Sequence, residues 1–257
     1  MRRRAVTVLT YHEVRPHLGG RLRSFGVHPE AFARQMALLA KAGWRTCDLD
    51  HLGDALRGVR ELPRGAFVLT FDDGYAELER YVAPILARHG FRAIAYVVTD
   101  RLGAIAAWDD EVPRLALFSP DAIRRLDGGV FRFESHSRTH PVLTRLDPDG
   151  VRREVAESRH RLEDVVGREV TSFAYPYGAF DVAVEAIVRD AGYRTAATML
   201  AGPNRPGDDP LRIRRVTIRA RDTLAGMLFK VMTGHGLRSA ARRMLGHETG
   251  RASRGPR

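Results

Sequence analysis

Between residues 5 and 218, short apolar runs of strand length alternate with amphipathic runs of helix length, and this alternation leaves few architectures open. Strand-like runs fall at 5–11, 44–49, 66–71, 93–98, 130–134, 170–175, 193–198 and 211–218, with 44–49 the weakest. Helix-like runs fall at 29–42, 51–57, 76–88, 120–126, 149–166, 180–191 and 223–231. Residues 66–71 are continuously apolar, as in a parallel strand buried on both faces. In 29–42, Pro29 suits the first helical position, Phe32, Met36 and Leu39 share one face, and Gly43 stops the run. The pattern predicts a single α/β domain of roughly seven parallel strands, in a sheet open or closed into a barrel. The 257 residues suffice for one such domain. Residues 100–119 and 201–210 read as loops.

In parallel α/β folds, chemistry sits at the C-terminal ends of strands. Four groups of residues meet that test. Thr70-Phe71-Asp72-Asp73-Gly74 ends the 66–71 run with two adjacent carboxylates pointing different ways, so that one can bind a metal while the other faces water or substrate. The same triplet also fits a strand-end turn with a helix-capping Asp. His136 and His140 follow the 130–134 run; at i and i+4 they meet if the backbone makes a helical turn, and otherwise lie in a solvated loop. Two His and a carboxylate form a known hydrolytic zinc set. Tyr175-Pro176-Tyr177-Gly178 can present a backbone N–H to an oxyanion, or simply make a turn. Tyr11-His12-Glu13 ends the first run, where a lone His serves either structure or chemistry.

Together, in this order, these groups resemble the polysaccharide deacetylase family, also called the NodB homology domain or carbohydrate esterase family 4. Its T-F-D-D-G motif is matched by Thr70 to Gly74 and its H-S/T-x-x-H motif by His136 to His140. Its R-x-P-Y-G motif is matched by Pro176, Tyr177 and Gly178 only, because Ala174 stands where Arg is expected. The resemblance covers about residues 5–235 and implies a distorted (β/α) barrel. Most members carry a Leu-x-His motif after the last strand; here residues 219–222 contain no His, and Tyr11-His12 ends the first strand instead. This is similar to the circularly permuted branch that includes the poly-N-acetylglucosamine deacetylases, in which Phe-Ala-Tyr-Pro-Tyr-Gly commonly replaces the Arg-containing motif.

The resemblance implies that Asp73, His136 and His140 hold one divalent ion, with Zn²⁺ first and Co²⁺, Ni²⁺ or Fe²⁺ as alternatives. It implies Asp72 as general base, His12 as general acid on the leaving amine, and the Tyr177 N–H as oxyanion donor. The expected activity is hydrolysis of an N-acetyl group on an N-acetylhexosamine glycan or glycoside, giving acetate and an amine. On this reading His12 lies across the reaction centre from Asp72. The Arg that normally orients the base is missing, and the sequence names no substitute. Residues 190–194 resemble the family's fourth region, which supports the base, and equally fit a helix C-cap. Trp108 and Asp109 suit sugar stacking or loop packing.

Composition narrows the partners. The first 210 residues carry 30 Lys and Arg against 29 Asp and Glu, while residues 211–257 carry 12 against 2. A near-neutral body does not fit a nucleic-acid-binding domain, whose basic stripe lies on the fold itself. The expected division is a catalytic domain at 1–235 and a basic tail at 236–257, which suits peripheral contact with an anionic membrane or an acidic partner. Cys47 is the only cysteine, so neither a disulfide framework nor a Cys-based zinc site is available. The apolar stretch behind Arg2, Arg3 and Arg4 is too short for an export signal, and no run reaches membrane-span length, which gives a cytoplasmic expectation. The competing readings are hydrolysis of another non-peptide C–N amide, a non-catalytic carbohydrate-binding relative, and a tail that anchors the domain at a membrane.

Overall fold

The structure, a computed structural model, describes residues 5–17, 25–108 and 114–236. The expected tail and Asp109 therefore lie outside the described residues. The strands are β1 (Thr7–Tyr11), β2 (Arg45–Thr46), β3 (Ala66–Phe71), β4 (Ala93–Val97), β5 (Phe131–Ser135), β6 (Ser172–Ala174), β7 (Thr195–Ala197) and β8 (Val216–Thr217). All pair in parallel, in the order β7-β6-β5-β4-β3-β1-β8, with β2 added beside β3. A further parallel bridge, Ala197 to Ile213, joins β7 to the segment that leads into β8. The expected distorted (β/α) barrel is the architecture observed.

The helices are α1 (Pro29–Lys41), α2 (Leu49–Leu56), α3 (Glu77–Tyr81), α4 (Ala83–His89), α5 (Pro120–Leu126), α6 (Pro148–Arg152), α7 (Ser158–Val166), α8 (Val182–Asp190) and α9 (Leu224–Thr233). Side-chain caps start most of them: Asp48, Ser119, Asp147, Asp181 and Thr223 each accept a first-turn N–H. The apolar faces meet the strands. Phe32, Met36 and Leu39 of α1 join Leu9, Phe67, Leu69 and Phe71 in one buried core.

Three expected elements differ. The helix expected at 76–88 is broken at Val82, because Pro84 lacks an N–H and its ring crowds the carbonyl four residues back. The helix expected at 149–166 carries a π segment, Arg153–Glu157, between α6 and α7. The strand expected at 211–218 is mostly irregular. Asp209 caps a 3₁₀ turn, Pro210–Arg212, and only Val216–Thr217 pairs as a strand.

A cavity of about 580 Å³ opens at the opposite end of the barrel, beside Arg92, Ala93 and Phe131 at the starts of β4 and β5. The residues singled out in the sequence lie at the other rim. No helix among the described residues is long and apolar enough to cross a membrane.

Candidate active site

β1 and β3 are hydrogen-bonded neighbours in the register Tyr11 to Phe71, and the Asp72 N–H donates to the Tyr11 carbonyl at 3.0 Å. The next residue on each chain therefore lies beside the other, and His12 Nε2 is 3.9 Å from Asp72 Oδ2. His12 is thus next to Asp72, not across a substrate-sized gap from it. β1 also pairs with β8, Leu9 against Val216, so the first and last strands are neighbours as expected.

Asp73 turns away from Asp72 because its backbone is left-handed (φ 73°), and Gly74 continues the turn (φ 76°). A Cβ on Gly74 would lie 2.9 Å from Val97 Cγ1 on β4, so the turn needs glycine. Beyond β5, His136 and His140 do converge, with ring centroids 4.8 Å apart, but not through a helical turn. Ser137 and His140 have φ of 67° and 69°, and the loop folds back so that Ser137 Oγ accepts the His140 N–H at 3.0 Å. The π segment holds this loop. Buried Glu154 accepts from the N–H groups of Arg138 and Thr139 at 3.0 and 2.9 Å and from the Thr139 hydroxyl at 2.7 Å. Among the described residues, the four non-glycine positions with positive φ are Asp73, Ser137, His140 and Tyr177. Backbone strain is thus confined to the candidate site.

The ligand atoms of Asp73, His136 and His140 all lie within 4.8 Å of one another. Asp73 Oδ1 is 3.7 Å from His136 Nε2 and 3.6 Å from His140 Nε2. Two ligands on a tetrahedral zinc, each at about 2.1 Å, lie about 3.4 Å apart, so the cluster fits an ion at its centre. His136 Nδ1 lies 2.8 Å from the Ala174 carbonyl, which holds its proton there and turns the Nε2 lone pair inward. Burial and the Asp72 charge push the Asp73 carboxyl up to about 8, and burial lowers both His136 and His140. Two neutral imidazoles and a carboxyl crowded by a second carboxylate form a set that a cation would relieve.

Sequence reasoning missed Arg215. Its side chain is fully buried; Nη1 donates to Asp72 Oδ1 at 2.6 Å and Nη2 to Asp72 Oδ2 at 2.8 Å. It pairs with Asp72, for which the sequence named no partner. The signal was its spacing: Leu211, Ile213 and Arg215 fall at alternate positions of a strand-like run, and the first two are core residues. Burial alone would raise Asp72, but Arg215 holds it down at about 2. The segment 190–194 ends a helix: Asp190 is exposed at the end of α8, and the Tyr193 hydroxyl bonds the Val155 carbonyl in the core. Burial pulls His12 down to about 4, with Asp72 pulling the other way.

Aromatic rings surround the centre. Trp108 and Tyr177 lie 4.8 and 4.7 Å from the His140 ring, and Phe25 lies 5.2 Å from His12. Trp108 thus packs on a cluster residue. Tyr177 is 40% exposed and has φ 58°.

Comparison with known proteins agrees with this geometry. Residues 60–196 match the family model described as polysaccharide deacetylase. The Bacillus subtilis (strain 168) protein YxkH is 22% identical over 195 residues, covering 76% of this chain and 64% of its own length. The Escherichia coli (strain K12) poly-beta-1,6-N-acetyl-D-glucosamine N-deacetylase is 33% identical over 86 residues, which is 34% of this chain and 13% of that protein. The chain therefore spans less than two thirds of either relative. The Streptococcus pyogenes deacetylase PplD, solved in complex with acetate, superposes with a TM-score of 0.78 at 20% identity, over 90% of this chain and 99% of that one.

Proposed function

The chain belongs to the polysaccharide deacetylase family, and from that premise we propose that it removes the acetyl group from an N-acetylhexosamine unit of a glycan or glycoside. The observation that carries this reading is the convergence at one rim of a metal-compatible Asp73–His136–His140 cluster, an ionised Asp72 locked by Arg215, and His12 beside them.

Asp73, His136 and His140 would hold a divalent ion, with Zn²⁺ taken first and Co²⁺, Ni²⁺ or Fe²⁺ as alternatives that the same donor set admits. When bound, such an ion polarises an acyl oxygen and lowers the pKa of water to about 7. Asp72 takes a proton from the attacking water as its oxygen bonds to the acetyl carbon. Arg215 keeps the Asp72 carboxylate ionised and fixes its plane. His12 is neutral at rest, so it must gain the proton it gives to the leaving nitrogen; Asp72, which has taken the water's proton, lies 3.9 Å away and passes it on once the pair closes to hydrogen-bond distance. The C–N bond then breaks, giving acetate and a free amine. The Tyr177 N–H is assigned to the developing oxyanion, supported by its left-handed backbone and by its ring against His140. The permuted strand order is part of the same proposal: β1, which carries His12, lies between β3 and β8.

An acetate-release assay across N-acetylated sugars, with and without added Zn²⁺, Co²⁺ and Ni²⁺, tests this reading. Metal-dependent acetate release is expected, with loss of both bound metal and turnover in His136→Ala and His140→Ala. Full metal occupancy in the double variant, or no acetate from any sugar, would overturn it.

A further inference from the structure

We propose that the substrate carries a negative charge, a carboxylate or a phosphate, near the acetamido group, and that Arg219 reads it; this rests on the deacetylase reading above. Arg219 follows β8, whose next residue, Ile218, donates its N–H to the Thr10 carbonyl of β1 at 2.9 Å. That pairing brings Arg219 to the rim where β1 presents His12. Phe25 is the neighbour shared by both. Its ring lies 5.2 Å from the His12 ring, and the Arg219 guanidinium carbon sits 4.5 Å over the same ring.

Stacking covers one face of the guanidinium and fixes its plane, which leaves its N–H edges to bond an anion. Among the described residues no carboxylate lies within ion-pair distance of Arg219. The nearest candidate in sequence, Asp222, accepts the Arg219 backbone N–H at 2.7 Å and is neutralised by Lys230 at 2.5 Å. Arg219 is half-exposed and held by an aromatic ring. Its charge is felt at His12, where it opposes protonation. A carboxylate or phosphate on the amino sugar, on the His12 side of the acetamido group, would meet this fork in the two-bond geometry Arg favours. A neutral sugar would leave the charge unused.

The test compares kcat/KM for acetate release from a neutral methyl glycoside of N-acetylglucosamine, from N-acetylglucosamine 1-phosphate and from N-acetylmuramic acid. The two charged probes separate the phosphate and carboxylate sources. The full metal-loaded chain is expected to prefer at least one charged probe, and Arg219→Gln to reduce that preference by about tenfold or more, the scale of one charge-assisted hydrogen bond. Arg219→Lys should restore part of it. Arg34→Gln removes an equal charge from an exposed pair on α1 and should leave the preference intact. A wild type with no preference for charge, or a preference that survives Arg219→Gln in a variant with a normal melting transition, would overturn the inference. Calorimetric binding of glucosamine 1-phosphate separates this outcome from failure of the deacetylase reading. Arg219-dependent binding without acetate release from any probe would sink the deacetylase reading alone, and Arg219-independent binding would sink the inference.

Discussion

Arg215 and Asp72 lie 143 residues apart in the chain and meet as a buried two-bond pair, guanidinium fork on carboxylate, at 2.6 and 2.8 Å. The pair forms because β1 bridges β3, which Asp72 follows, to β8, which Arg215 precedes. It decides the state of the proposed base. Without it, burial would drive Asp72 toward its neutral form.

Arg215→Met is therefore expected to lose most turnover and to destabilise the fold by about 3–5 kcal/mol, since it leaves a buried carboxylate unpaired. The sign of the pH effect follows. Asp72 is depressed to about 2 in the fold, so its pairing stabilises above the unfolded value near 4 and is lost as pH falls through 2. In Arg215→Met the carboxyl rises instead, so the acid limb of kcat/KM should move to higher pH. An acid limb that stays in place would remove Asp72 from the role of base.

The sequence reads clearly where local chemistry decides structure. The run 66–71 coincides with β3 because it is apolar but for the β-branched Thr70 and is bounded by Gly65 and by Asp72-Asp73. Pro120–Leu126 coincides with α5 because Ser119 caps it and Pro120 starts it. The cluster residues were legible as types at strand ends. How His136 and His140 meet was not, since their loop uses left-handed Ser137 and His140, held by Glu154 from a distant helix. Arg215 was illegible for the same reason: its partner is supplied by strand pairing, which no local pattern specifies.

Glu154 offers a test of that loop. Its carboxylate takes three hydrogen bonds from Arg138 and Thr139 but touches none of the three cluster residues. Glu154→Met removes both acceptor oxygens and leaves the Arg138 and Thr139 N–H groups without their partner. Affinity for Zn²⁺ should fall by about 10–100-fold, the usual effect of disturbing groups behind a metal ligand. Equilibrium dialysis of the purified variant measures this, and undiminished affinity would show that the loop holds its shape unaided.

His12→Ala separates acid catalysis from site damage. Expulsion of an amine requires a proton, so amide hydrolysis should fall by roughly 10²–10⁴-fold. Activated esters, whose leaving groups depart as stable anions, should be spared, and metal content should not change. Parallel losses on amide and ester would point to a disturbed site. Full amide activity would exclude His12 as the proton donor.

Gly178 tests the proposed oxyanion donor without touching a charged group. Tyr177 and Gly178 are consecutive left-handed residues, with φ of 58° and 67°, in the turn that sets the Tyr177 ring against His140. An added Cβ at Gly178 would fall 2.6 Å from Met199 Cβ and Cγ and 3.0 Å from the Met199 backbone nitrogen. The methionine tip could swing away, but its Cβ and backbone nitrogen cannot, so Gly178→Ala must shift the turn itself. Left-handed φ adds a further cost of about 1 kcal/mol for a residue with a side chain. Asp72, Asp73, His12 and the two cluster histidines lie on other segments, so metal binding and the acid limb of the pH profile should persist. Because an oxyanion donor acts in the transition state, the loss should appear in kcat more than in KM. A decrease of about 10²–10³ is the scale for one such donor. Wild-type kcat in a folded Gly178→Ala variant would show that the Tyr177 N–H does not carry the oxyanion.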